Sequence, residues 1–176
     1  MAVSMYDFSI PVFRHALGSL ALVLGKGQVH CANHQLDESV LFDARLYPDM
    51  FPLHRQVQVS CDQAKNASAY LAGETPVGFE DTESTFADLI ARIEKTRAAL
   101  DQLGPELFTG MESEPVSFVV GAYRMVFPTG LEYLQRFALP NFYFHVSTAY
   151  DILRHNGVEL GKGDFLGEMG AEIGPA

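Results

Sequence analysis

Apolar residues recur every three or four positions in four separate stretches of the chain. These stretches cover residues 10–24, 50–71, 86–103 and about 141–155. Such spacing places the apolar side chains on one face of an α-helix. The pattern therefore predicts four amphipathic helices, and each has an apolar face that can contribute to a shared core.

Local signals predict where the first and third helices begin and end. Gly25 is expected to end the first helix, so that residues 26–36 form a connection before a short helical turn within 37–46. Thr85 and Asp88, three residues apart, are typical of a capping pair at the start of the third helix. The connections between the helices are short enough for an antiparallel bundle.

The period changes from helical spacing to alternation within residues 116–127, which predicts a small β-hairpin. Thr129 and Glu132 then match the capping-box pattern and predict a short helix that is expected to end near Phe137, with Pro140 as the interruption before the last helix. The predicted fold class is all-α: an antiparallel four-helix bundle with a β-hairpin insertion before the last helices.

The length and charge of the chain narrow the classes of function. A length of 176 residues fits a single domain spanning residues 1–176, in which residues 168–176 are expected to form a flexible tail. A net charge of −10 with only 12 Lys and Arg argues against nucleic acid as a partner. No apolar run approaches the roughly 18 residues needed to cross a bilayer, and no signal peptide is recognised. We therefore expect a cytoplasmic protein that does not bind membranes.

The most informative candidate for chemistry is His145, because helical spacing points it toward the bundle interior. Asn141 lies one turn earlier on the same face, Thr148 flanks it, and His54 lies at the edge of the apolar stripe of the second helix. One interpretation is a metal or acid–base pocket formed by His54 and His145. The other is that His145 is a hydrogen-bonded core histidine and His54 a residue at the helix edge.

Two further groups carry reactive side chains. His30, Cys31 and His34 lie close together in the sequence, which is consistent with a soft-metal cluster or with an incidental grouping in a loop. Cys61 lies near His54 on the helical wheel, as either an activated nucleophile or a small buried side chain. The sequence leaves both alternatives open.

Three segments carry a resemblance to a known family: "LPNFYFHVSTAYDILRHNGVELGKGDFLG", "LYPDMFPLHRQVQVSCDQAKNASAYLAGETP" and "TFADLIARIEKTRAALD". Together they resemble an uncharacterised bacterial and fungal family within the DinB/YfiT-like four-helix bundles. Metal-binding members of that superfamily have one His on the second helix and a pair spaced by four on the last helix. The resemblance implies that His54 and His145 match two of these ligands and that Asn141 stands in place of the third.

The resemblance also shapes the expected function. Because an amide is a poor ligand for a transition metal, we expect no tightly held cofactor, and at most weakly bound Zn or Ni at His54 and His145. The preferred hypothesis is a small-ligand-binding or structural homodimer with a degenerate metal site around His145. The alternative is a metal-dependent thiol transferase or isomerase that uses His54 and His145. The resemblance suggests it, because some members of the superfamily are thiol transferases or thiol-dependent isomerases.

Overall fold

The computed structural model describes residues 4–171, and most of that chain is helical. In chain order the helices are α1 (Ile10–His34), α2 (Glu38–Phe42), α3 (Leu53–Leu71), α4 (Phe86–Leu100), α5 (Gly130–Tyr133), α6 (Leu139–His155) and α7 (Lys162–Leu166). The long helices α1, α3, α4 and α6 form a closed bundle in which α1 and α3 each pack against both α4 and α6. The predicted all-α bundle is therefore confirmed.

Apolar side chains from all four long helices meet in one buried cluster. Ile93 of α4 and Ile152 of α6 are both fully buried within it. At another point Phe13 of α1 meets Phe142 of α6 edge to face, with ring centroids 4.9 Å apart and both side chains fully buried. Burial of these faces supplies the main driving force for assembling the bundle.

The first helix is ten residues longer than the sequence pattern predicts, because α1 continues to His34 instead of ending at Gly25. The prediction that residues 26–36 form a connection was wrong. Gly27 lies in the buried face of α1, where a Cβ atom would come within 3.1 Å of side chains of Leu153 and Phe86. Glycine at this point allows the helices to approach closely, so it serves packing within the helix instead of ending it.

Short-range predictions around α4 and the hairpin are confirmed. The Thr85 hydroxyl accepts from the Asp88 backbone N–H, and the Asp88 carboxylate accepts from the Thr85 N–H, which completes the capping box. Strands β1 (Val116–Val120) and β2 (Tyr123–Phe127) pair antiparallel, as the alternating pattern predicts. The hairpin is anchored to the bundle by a group of stacked and edge-on aromatic rings: Tyr70, Phe118, Phe127, Tyr133 and Phe137.

The sequence pattern suggested an interruption at Pro140, but the chain remains helical through this residue. A π-helical segment at Leu134–Ala138 joins α5 to α6, so the chain is helical without a break from Gly130 to His155. The backbone N–H of Leu139 donates to the carbonyl of Leu134, five residues earlier, which is the π pattern. Pro140 lies in the first turn of α6, where its missing N–H is tolerated.

The segment between α3 and α4 has no regular secondary structure and contacts the bundle through several polar side chains, among which the buried guanidinium of Arg92 makes the most contacts. Arg92 Nη1 donates to the Glu80 carbonyl at 3.0 Å and to the Glu83 carboxylate at 2.9 Å. Its Nη2 lies 3.0 Å from a carboxylate oxygen of Asp62 on α3 and 3.0 Å from one of Asp81. Only 2% of the Arg92 side chain and 10% of the Glu83 side chain are exposed, so this ion pair is shielded from bulk water, whereas Asp62 and Asp81 are 28% and 39% exposed.

The predicted flexible tail, residues 168–176, is only partly within the described chain. Residues 168–171 form no helix or strand, whereas residues 172–176 of the predicted flexible tail lie outside the described part of the chain. Within residues 4–171, every helix is too short or too polar to cross a lipid bilayer.

Candidate functional site

The candidate site is centred on His145, whose imidazole is buried in the apolar face of α6. Its neighbours on the same helical face, Phe142, Ala149 and Ile152, are fully buried, and His145 itself is 8% exposed. The three- and four-residue spacing of these positions explains why the sequence brings an imidazole into an apolar face. The prediction from helical spacing that His145 points inward agrees with this placement.

His145 is paired with a side chain of α3 through a chain of hydrogen bonds whose direction can be assigned. Its Nδ1 lies 2.7 Å from Oε1 of Gln56, and Nε2 of Gln56 donates to the Phe51 carbonyl at 3.1 Å. Because the carbonyl of Phe51 can only accept, the amide nitrogen of Gln56 faces it and the amide oxygen faces His145. The proton of the neutral imidazole is therefore on Nδ1, and its Nε2 carries a lone pair.

Two phenylalanines flank the His145 ring. Phe51 stacks on it with ring centroids 6.5 Å apart and an angle of 20°, and Phe144 meets it edge-on at 5.1 Å and 88°. Both rings are about half exposed. They also line an open cavity of about 210 Å³ together with Asp49, Met50 and Gln56. Of the hydrogen-bonded pair, Gln56 is the member that lines this cavity, and His145 contacts two of its aromatic walls.

The environment of His145 keeps its imidazole uncharged at neutral pH. Burial lowers the pKa of His145 from 6.5 to about 4, and the nearby positive charge of Arg55 acts in the same direction. A neutral imidazole with its proton fixed on Nδ1 can accept a hydrogen bond at Nε2 but is a weak base. The site is therefore better suited to orienting a ligand than to removing a proton from one.

His54 has different neighbours from His145. Its ring stacks on Phe42 at 4.8 Å and 12°, and its Nε2 lies 3.6 Å from a carboxylate oxygen of Asp43. Burial lowers the pKa of His54, and the charge of Asp43 opposes that shift. Positions 54 and 56 are about 200° apart around α3, so the side chain that meets His145 is Gln56, and no hydrogen bond joins the two histidines.

Gln56 is the site residue that the sequence analysis missed. It lies three residues after the fully buried Leu53 and four before the fully buried Ser60, and it is itself only 1% exposed. A glutamine at a core-facing position of a helix must find partners, because an unpaired buried amide costs free energy. That position within the apolar stripe was the signal that could have identified it.

The other two predicted pocket residues differ in their surroundings. Thr148 is buried, and its hydroxyl donates to the Phe144 carbonyl at 2.7 Å within the same helix. Asn141 is half-buried, and its amide makes no hydrogen bond with any residue from 4 to 171. Within that range no three His, Cys, Asp or Glu side chains are grouped so that they could hold a metal ion. Weak binding of Zn or Ni by His54 and His145 stays a prediction.

The two cysteines are buried thiols. Burial raises the pKa of the Cys61 thiol to about 12, although a hydrogen bond with Thr96 acts in the opposite direction. Cys61 is therefore protonated at neutral pH and poorly suited to nucleophilic attack. Cys31 is buried in the core of the bundle, whereas His30 and His34 line a groove on the outer side of α1. These three side chains therefore do not form one cluster.

The fold and the placement of His145 define a DinB-like four-helix bundle. A crystal structure of a DinB family member from Shewanella denitrificans superimposes with a TM-score of 0.87 at 34% sequence identity, covering 97% of this chain and 96% of that chain. Residues 5–166 match the model of a domain of unknown function, DUF1993, and the protein belongs to that family. No curated protein matches the sequence.

Proposed function

We propose that this protein binds a small organic ligand in the cavity beside His145. The observation that supports the proposal most is the hydrogen-bond chain from the Phe51 carbonyl through Gln56 to His145, which leaves the imidazole lone pair at Nε2. No residue from 4 to 171 donates a hydrogen bond to that atom. The side chain of His145 is mostly buried, and a nitrogen acceptor on it that has no protein donor is suited to a ligand O–H or N–H.

The walls of the cavity indicate the class of ligand. Phe51 and Phe144 offer ring faces and edges, and the volume of about 210 Å³ lies below the usual range for drug-sized ligands. A compound with one aromatic ring and one uncharged hydrogen-bond donor fits these features. The donor would bond to Nε2 of His145 while the ring packs between the phenylalanines.

Phenol is expected to bind more tightly than anisole, which has the same ring but no O–H. The difference should be about fivefold, since a single hydrogen bond contributes about 1 kcal/mol. Titration followed by the ¹⁵N NMR signals of the His145 ring measures both affinities, and the Nε2 resonance should shift with phenol. In His145→Phe the two compounds should bind alike. Equal binding of phenol and anisole to the unsubstituted protein would contradict the assigned role of His145.

We also propose that the protein forms a homodimer through the hairpin. On its outer face Val119 and Val126 are 62% and 63% exposed, and Tyr123 near the turn is 78% exposed. Within the described residues the sheet has two strands, so each strand has an unpaired edge. Exposed apolar side chains next to free backbone groups are typical of a surface that pairs with another chain.

Light scattering at micromolar concentration is expected to return twice the chain mass of 19.4 kDa. The double substitution Val119→Asp and Val126→Asp should give the monomer mass. In a symmetric dimer the two new carboxylates of one chain would be buried against those of the other chain and would repel them. Val77→Asp changes a valine that is 70% exposed outside the hairpin and should leave the dimer intact. A monomer mass for the unsubstituted protein would refute dimerisation.

A further inference from the structure

The outer side of α1 carries two imidazoles one helical turn apart. His30 is half-buried and His34 is exposed, and their rings stack with centroids 4.1 Å apart at an angle of 28°. Residues four apart project from the same face of a helix. The two rings are therefore held side by side by the helix itself, in a part of the molecule separate from the pocket at His145.

The hydrogen bonding of His34 prepares it to act as a ligand. Its Nδ1 lies 2.9 Å from the backbone carbonyl of His30. Because a carbonyl only accepts, the proton of the neutral ring is on Nδ1, and the lone pair is on Nε2. Histidines that bind metals usually donate their other N–H to a backbone carbonyl or a carboxylate in this way, which fixes both the tautomer and the ring.

The charges at this end of α1 favour a cation. His34 is the last residue of the helix, where the unpaired carbonyls carry partial negative charge. Asp37 and Glu38 follow within four residues. Two carboxylates therefore lie close in the chain to the last turn of α1.

Both imidazoles line a groove of about 610 Å³ between α1 and the chain that follows α6. Leu22 and Val29 form an apolar wall, and Glu159 contributes a carboxylate to the rim. Among residues 4–171 no third metal-binding side chain joins the two rings in one group. A cation held here would therefore keep coordination positions open to water or to a ligand in the groove.

We infer that His30 and His34 chelate one divalent transition-metal ion on the outer face of α1. Cu²⁺ is expected to bind more tightly than Ni²⁺ or Zn²⁺, because affinity at nitrogen sites follows that order. Cys31 takes no part, since its side chain is buried in the core. The open positions make this a labile surface site, distinct from the pocket at His145.

The experiment uses the full chain without a histidine tag and Cu²⁺ as the probe. Calorimetric titration should show one equivalent bound, and the electron paramagnetic resonance spectrum should show coupling to imidazole nitrogen. That equivalent should be lost in His30→Gln and in His34→Gln. It should be retained in His54→Gln and His145→Gln, which remove the histidines at the other candidate site.

A register control keeps the number of histidines constant. Combining Ala32→His with His34→Ala leaves two imidazoles in the last turns of α1 but separates them by about 160° around the helix, so chelation should be lost. Circular dichroism of each variant checks that the bundle is folded. Retention of the equivalent in His34→Gln or in the register control would overturn the inference, as would loss of the equivalent in His54→Gln.

Discussion

Replacing Arg92 with methionine is expected to lower the free energy of unfolding by about 3–5 kcal/mol, the usual cost of removing one partner from a buried ion pair. The guanidinium contacts the carboxylates of Asp62, Asp81 and Glu83, and the Glu83 side chain is only 10% exposed. Methionine fills a similar volume but removes the positive charge that these three carboxylates share, so that Asp62 and Glu83 lose their ion-pair partner while Asp81 keeps Arg55. The segment between α3 and α4 should also lose its main attachment to the bundle.

Urea denaturation followed by circular dichroism measures this loss. Arg136→Met is the matched control, because Arg136 forms an ion pair with Glu132 while its side chain is 72% exposed. Exposed pairs contribute roughly 0–1 kcal/mol, so the control should be nearly as stable as the unsubstituted protein. Equal stabilities for the two variants would show that the buried network does not hold the segment in place.

Stability is expected to fall by on the order of 3 kcal/mol between pH 6.5 and pH 4 because of His145 alone. The pKa of His145 is about 4 in the folded protein and 6.5 for an ordinary histidine, and burial is the largest cause of the difference. Between these values the unfolded chain binds a proton that the folded chain does not. The free energy of unfolding therefore decreases as the pH falls through this window, and the contribution of His145 becomes constant below pH 4.

Thermal and urea unfolding across this pH range tests the assignment to His145. His145→Gln should reduce the decline, whereas His155→Gln removes an exposed histidine and should leave it unchanged. Gln56→Glu should also reduce it, because a carboxylate at Nδ1 would raise the pKa of His145. An identical decline in His145→Gln and in the unsubstituted protein would assign the pH dependence to other groups.

The parts of the fold that could be predicted are those governed by short-range patterns. Helical periodicity, the capping box at Thr85 and the alternation in residues 116–127 depend on neighbours in sequence, and the structure contains all three features. The ends of two helices could not be predicted in the same way. Gly25 and Pro140 are common at helix ends, but here the packing of α1 and the π-helical segment decide the outcome.

The candidate site shows the same limit. Periodicity was enough to point His145 inward, because only the face of one helix had to be known. The partner of His145 depends on how α3 is rotated and placed against α6, and local periodicity did not distinguish Gln56 from His54 as that partner. The Arg92 network was missed for a related reason, since its carboxylates lie on α3 and on an irregular segment that has no period to follow.

The π-helical segment at Leu134–Ala138 joins the short helix that anchors the hairpin to the helix that carries His145. Each residue advances a helix by about 100°, so the wider turn sets the rotational phase of α6 relative to α5. Tyr133 before the segment anchors the hairpin, and His145 after it faces Gln56. Because a π turn takes up one extra residue, a regular helix with the same number of residues would rotate His145 by about 100° away from Gln56. The π turn is therefore what allows the residue that anchors the hairpin and the residue that faces the pocket to share one continuous helix.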